Sequence, residues 1–163
     1  MKKIIYVILV VFTYLNINAQ QFSKVNIGDI VNTPSGSRSC NFIDVNNDNF
    51  QDILITNGTS GGENNMLFIN NNGESFNLLE NIITNDGTPS DGASCADFDN
   101  DGNTDVFIVN WYNINNLLYR NTGNGLFNKI DTGQIVTNGG YSETASWGDA
   151  DNDGFVDLYV TNS

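Results

Sequence analysis

Asp97-Phe98-Asp99-Asn100-Asp101-Gly102-Asn103-Thr104-Asp105 is the stretch on which the fold turns. It places acids at positions 1, 3, 5 and 9 of a nine-residue frame, with glycine at position 6. The frame recurs without a gap as Asp149-Ala150-Asp151-Asn152-Asp153-Gly154-Phe155-Val156-Asp157, and more loosely as Asp44-Val45-Asn46-Asn47-Asp48-Asn49-Phe50-Gln51-Asp52. The three starts lie 53 and 52 residues apart, at 44, 97 and 149. Self-similarity at a fixed spacing of this size marks a repeat architecture.

Working outward, every frame opens directly into an apolar run: Ile53-Leu54-Ile55-Thr56-Asn57, Val106-Phe107-Ile108-Val109-Asn110 and Leu158-Tyr159-Val160-Thr161-Asn162. Short apolar runs that end on turn-forming residues read as buried strands. Two further strand-like pieces follow in each of the first two units, Met66-Leu67-Phe68-Ile69-Asn70 then Phe76-Asn77-Leu78-Leu79, and Leu117-Leu118-Tyr119-Arg120-Asn121 then Phe127-Asn128-Lys129-Ile130. A stretch of small residues precedes the loops, as in Ala93-Ser94-Cys95-Ala96. Four short strands per unit of about 50 residues, with no helical periodicity, predict an all-β propeller of four-stranded blades. The units run over about 38–90, 91–142 and 143–163, the last truncated. Phe22-Ser23-Lys24-Val25 resembles the pieces that start at Phe76 and Phe127, which predicts over 21–31 the outer strand of a closing blade. Rings of this kind need about 4 to 8 blades, so residues 20–163 read as a partial propeller from a longer protein.

The chemistry of the frame points to a divalent cation. Oxygens at positions 1, 3 and 5 of a tight loop can turn inward on one ion, with a backbone carbonyl from position 7 and the carboxylate at position 9 completing the shell. The expected ligand sets are Asp97, Asp99, Asp101, Asn103 and Asp105; Asp149, Asp151, Asp153, Phe155 and Asp157; and Asp44, Asn46, Asp48, Phe50 and Asp52. Hard oxygen donors in this number suit Ca²⁺ better than Mg²⁺, which resists dehydration and demands a strict octahedron. Of the 19 acids, 11 fall in the three frames. Carboxylates crowded so closely repel by about 1 kcal/mol per pair even in a water-like medium, which a bound cation relieves. The first frame has Asn46 for an acid and Asn49 for the glycine, so it carries less charge. Asn tolerates the left-handed backbone that position 6 requires. The EF-hand is excluded, because its twelfth position needs Glu and here holds Ile55, Ile108 or Val160.

Composition narrows the function further. The net charge is -13, with six Lys and Arg against 19 acids. Nothing here neutralises phosphates, so nucleic acid is excluded as a partner. Lys2, Lys3, the apolar residues 4–15 and a small-residue cut at Ala19 predict a cleaved secretory signal over 1–19, with no membrane insertion after its removal. The chain is then secreted or held at the cell surface. Cys40 and Cys95 fall at non-equivalent repeat positions and read as two small buried residues rather than a disulfide. With no His in the sequence, Ser-His-Asp and Cys-His catalysis are excluded.

These residues carry a resemblance. Residues 97–110, 116–127 and 147–154 resemble FG-GAP/VCBS repeats, found in integrin α-chain propellers and in many secreted bacterial proteins, and are similar to the propellers of cartilage acidic protein and its bacterial relatives. The resemblance covers nearly all of residues 20–163. It implies a seven-bladed ring, Ca²⁺ in the loop between the first two strands of a blade, and extracellular adhesion or ligand binding. The expected function is a non-catalytic scaffold for a protein or carbohydrate ligand. The alternative is the propeller part of a polysaccharide-degrading lyase or hydrolase whose active site lies elsewhere. A third class is a purely structural piece of a large surface protein. Trp111, Tyr112 and Tyr141 fall in loops where rings either stack on sugars or pack between blades.

Overall fold

The computed structural model describes residues 23, 24, 26 and 28–163. The signal expected over 1–19 lies outside the described residues, as do Phe22 and Val25 of the expected outer strand. The end of that segment, Asp29–Val31, is a 3-10 turn rather than a strand. It packs against the outer edge of the first sheet, where the Leu78 backbone N–H donates to Asp29 Oδ2 at 3.2 Å.

The apolar runs become strands in the expected order. The first sheet consists of β1 (Ser37–Ile43), β2 (Asp52–Asn57), β3 (Met66–Asn71) and β4 (Ser75–Leu79), paired antiparallel in that sequence. The second contains β5 (Ser90–Ala96), β6 (Asp105–Asn110), β8 (Leu117–Asn121) and β9 (Phe127–Ile130); the two-residue β7 (Ile114–Asn115) stands apart from it. A four-residue helix α1 (Gln134–Thr137) leads to β10 (Gly139–Gly140), which pairs with β7. The third sheet is β11 (Ser142–Gly148) with β12 (Asp157–Asn162).

Strand β6 shows why the sheets stack as blades. Every one of its residues is buried. Side chains alternate across a strand, so Val106 and Ile108 join Leu54, Leu67 and Tyr119 in the core toward the first sheet. Phe107 and Val109 join Leu118 and Val136 in the core toward the third, with Trp147 and Leu158 against them. A strand apolar on both faces needs a sheet on each side of it. Fully burying one such side chain contributes about 1.5–3 kcal/mol, so these faces dominate the attraction between blades. β1, β5 and β11, the first strands of the three sheets, lie beside one another, and the sheets fan out from that shared edge. The fold is a run of propeller blades.

A polar thread joins the blades at the end of the second strands. Asn65 Oδ1 accepts the Asn57 backbone N–H at 3.0 Å, and its Nδ2 donates to Ser90 Oγ of the next sheet at 3.2 Å. Asn116 repeats this with the Asn110 N–H at 2.9 Å and Ser142 Oγ at 3.1 Å, and the Ser142 hydroxyl passes on to Asn162 Oδ1 at 2.8 Å. Asn65 and Asn116 are buried. In sequence the abundant Asn reads as turn chemistry, whereas these two carry hydrogen bonds from one blade to the next. The thiols also depart from expectation. Cys40 and Cys95 are free, but Cys40 is exposed, while Cys95 packs on the core and burial pushes its thiol up to about 12.

Asn116→Ala strands the buried Asn110 N–H and removes the donor to the Ser142 hydroxyl, and should destabilise the fold by about 1–3 kcal/mol. Asn128→Ala, on the exposed edge strand, should leave the urea midpoint close to wild type.

Candidate metal centre

The three Asp frames are the connections from β1 to β2, β5 to β6 and β11 to β12, so they share one end of the blades. Backbone geometry is the same in each. Positions 4 and 6 are left-handed: Asn47 and Asn49 (φ 60° and 70°), Asn100 and Gly102 (58° and 87°), Asn152 and Gly154 (59° and 91°). Asn and Gly are the residues that accept this conformation most readily. Asn49 thus takes the part that glycine plays in the other two loops. The Asn at position 4, invariant across the three frames, is a signal that the position-6 glycine overshadows in sequence.

The double left-handed turn points backbone N–H groups inward, and the acids accept them. The first Asp takes the N–H of position 5 on Oδ1 and that of position 6 on Oδ2: Asp97 at 3.0 and 2.8 Å, Asp149 at 3.1 and 3.0 Å, Asp44 at 3.2 and 2.9 Å. The position-5 Asp takes the N–H of position 7, Asp101 from Asn103 at 2.9 Å, Asp153 from Phe155 and Asp48 from Phe50 at 2.8 Å. The position-9 Asp closes the loop by accepting the N–H of position 2, at 3.0 Å for Asp52, Asp105 and Asp157 alike. In the complete sheets its other oxygen accepts a third-strand N–H, Asn70 to Asp52 at 2.8 Å and Asn121 to Asp105 at 2.7 Å.

These bonds turn the carboxylates of a loop toward one another. Among the described residues, oxygens of Asp97, Asp99 and Asp105 lie within 4.8 Å of each other, as do those of Asp149, Asp151 and Asp153. The first loop makes no such three-acid group; there Asn46 Nδ2 donates to Asp48 Oδ2 at 3.0 Å. The electrostatics are those of a site short of positive charge. Burial pushes the Asp105 carboxyl up to about 6, against the stabilising pull of the Asn121 and Phe98 N–H groups, and Asp99 and Asp101 push the same way. Asp52 is raised by burial as well. Asp101 is held below the usual range by the Asn103 N–H and by Arg120. Asp99 Oδ1 is sealed from solvent without a hydrogen-bond partner. An all-oxygen donor set, surplus negative charge and an orphaned buried carboxylate oxygen fit a hard divalent cation.

Adjacent loops are also chained. Asn47 Nδ2 donates to Asn103 Oδ1 at 2.8 Å, and Asn100 Nδ2 to the Gly154 carbonyl at 3.0 Å. At the opposite end of the blades, Trp111, Tyr112 and Tyr141 converge. Their ring centroids are 6.0–6.3 Å apart and their planes meet edge to face at 61–68°. Tyr112 and Asn113 are left-handed, and the absent side chain of Gly139 admits the Asn113 carbonyl, which a Cβ would meet at 2.5 Å. The acids outside the loops take separate partners, such as Asp86 with Lys129 at 2.8 Å and Glu63 with the Gly36 N–H at 3.0 Å.

The FG-GAP-like repeat model matches the chain twice, over residues 44–108 and 97–160. Each match opens on the first Asp of one loop and ends within the second strand of the next blade. No curated protein matches the chain.

For the metal-free protein, the Asp105 shift fixes a pH trend. A carboxyl raised from 3.8 to about 6 binds its proton more tightly folded than unfolded. Its contribution is therefore full below 3.8 and lost as pH rises through about 6. Asp52 acts in the same sense, and Asp101, shifted downward, titrates below this window. The urea midpoint should fall across the interval and level off above it; a rise across it would contradict the assignment.

Proposed function

The chain belongs to the FG-GAP-like repeat family, and from that premise we propose that it is an exported, non-catalytic propeller scaffold. Its Asp loops hold Ca²⁺ as structural ions, and its other face meets an extracellular protein or carbohydrate. The observation that carries the calcium assignment is the repeated hydrogen-bond frame of the loops. In all three, backbone N–H groups orient the acids at positions 1, 5 and 9, and in the second and third loops three carboxylates are thereby brought within 4.8 Å of one another. Asp97, Asp99, Asp101 and Asp105 would hold the ion of the second loop, and Asp149, Asp151, Asp153 and Asp157 that of the third. The backbone carbonyls of Asn103 and Phe155 are the further donors proposed there. In the first loop Asp44, Asn46, Asp48, Phe50 and Asp52 offer one charge fewer and a weaker site. A bound Ca²⁺ would supply positive charge that offsets the mutual repulsion of the acids, and the loop residues would supply its oxygen shell.

Ligand recognition is proposed for the aromatic cluster. Tyr112 and Tyr141 keep more than two-fifths of their surface exposed, and exposed ring faces stack on the apolar faces of sugars as readily as on protein side chains. A secreted location follows from the basic and apolar pattern of residues 2–15.

Extracellular modules of this type bind Ca²⁺ with dissociation constants of about 10⁻⁴–10⁻³ M. At about 5 mM Ca²⁺ each occupied loop should then add about 1–2 kcal/mol of stability, a shift of several degrees in melting temperature. Thermal unfolding with Ca²⁺, with Mg²⁺ and with a chelator checks it. A rise with Ca²⁺ that Mg²⁺ does not reproduce is expected, and identical transitions in all three would sink the calcium assignment.

A further inference from the structure

Arg120 lies on β8, one strand removed from the second loop, and its guanidinium reaches into the acid ring. Nε is 2.5 Å from Asp99 Oδ2, and Nη2 donates to Asp101 Oδ2 at 2.9 Å. These are positions 3 and 5 of the frame, two of the carboxylates that the calcium assignment needs. The guanidinium is always charged, and its planar fork spans adjacent carboxylates.

The first blade shows what the loop looks like without it. Strand register pairs Val106 with Tyr119 in the second sheet and Ile53 with Phe68 in the first. The residue after each, Arg120 or Ile69, is therefore equivalent. Where the second blade has Arg120 with Asp99, the first has Ile69 with Asn46, and Ile69 packs on the core instead. The arginine and the position-3 acid it faces are replaced together, while position 5 keeps an acid as Asp48. A cation and its counter-charge thus travel as a pair between two copies of one motif in one chain, which ties Arg120 to the loop rather than to general surface chemistry.

We propose that Arg120 is a built-in counter-ion of the second loop, competing with Ca²⁺ for Asp99 and Asp101 and holding the loop closed when no ion is bound. The inference rests on the calcium assignment above. A divalent ion cannot draw on oxygens that the guanidinium engages until that side chain swings away. Arg120 is 43% exposed, so it has solvent to swing into. The second loop is then the one whose occupancy is tuned, filling at higher Ca²⁺ than its four acids alone would require. The third loop, with the same acid count, is the direct comparison.

The test is calorimetric Ca²⁺ titration of the chain and of Arg120→Gln and Arg120→Lys, together with melting of each in chelator. Removing one charge a few Å from a doubly charged ion should tighten a single site about tenfold. Arg120→Gln should show that tightening, leave the other sites unchanged, and melt lower than wild type in chelator, so that its calcium-dependent gain is larger. Arg120→Lys, which keeps the charge without the fork, should fall between them. Failure of Arg120→Gln to fold in chelator with recovery in Ca²⁺ would also support the latch. Weaker binding by Arg120→Gln would overturn it, showing that Arg120 positions the acids for the ion. Unchanged binding at every site would overturn it too. Absence of Ca²⁺ binding by wild type and variants alike would overturn the calcium assignment itself.

Discussion

Each four-stranded blade depends on one buried carboxylate, at position 9 of its loop. Asp52 and Asp105 are fully buried, each at the first residue of the central strand β2 or β6. One oxygen holds the loop entrance through the position-2 N–H; the other holds the third strand through Asn70 or Asn121. Such a carboxylate cannot be exchanged for a neutral residue without stranding two N–H groups that have no other acceptor. It also carries charge into a place where charge is costly, which is why the Asp105 carboxyl is pushed up to about 6. The loop and the strand pairing are therefore one unit. An ion that compensates the acids of the loop relieves the same residue that aligns the sheet.

What was legible in sequence follows from which interactions are local. The Asp frames, the strands they open into and the blade period could be read because acid spacing and apolar runs are written within about ten residues of each other. The aromatic cluster was half legible. Trp111 and Tyr112 adjoin, but that Tyr141 completes the triad depends on the β7–β10 pairing, which two glycines permit and no periodicity announces. Asn65 and Asn116 were illegible as blade links, because an Asn beside a turn looks the same whether its amide meets water or a serine of the next sheet. Arg120 was hidden for a similar reason: it is 19 and 21 residues beyond the acids it meets, Asp101 and Asp99, and only strand register brings it to them. Cys40 was misjudged because the outward face of β1 could not be told from the inward one in a strand of small and polar residues.

The two ends of the blades have opposite chemistry. The loop end concentrates most of the acids, and its cohesion is electrostatic. The other end is closed by neutral amides and hydroxyls, Asn57–Asn65–Ser90 and Asn110–Asn116–Ser142, with the aromatic rings above them. Neutral hydrogen bonds are insensitive to salt, so the joining of the far end does not depend on whether the loops hold an ion. If the loops hold cations as proposed, their removal loosens the blades from one end only and leaves the aromatic cluster on the part that keeps its links.

The chained loops extend this from one blade to the next. Asn47 and Asn100 occupy the same left-handed position, and each spends its amide on the following loop, Asn103 in one case and the Gly154 carbonyl in the other. Asn103 is itself hydrogen-bonded to Asp101, so an ordered second loop presents a fixed acceptor to the first. Ordering one loop lowers the conformational entropy that its neighbour must still lose, and by linkage the benefit is mutual. A cation held in one loop, as proposed, would therefore act between blades as well as within one, and the first loop, with one charge fewer, would gain most from a neighbour already in place.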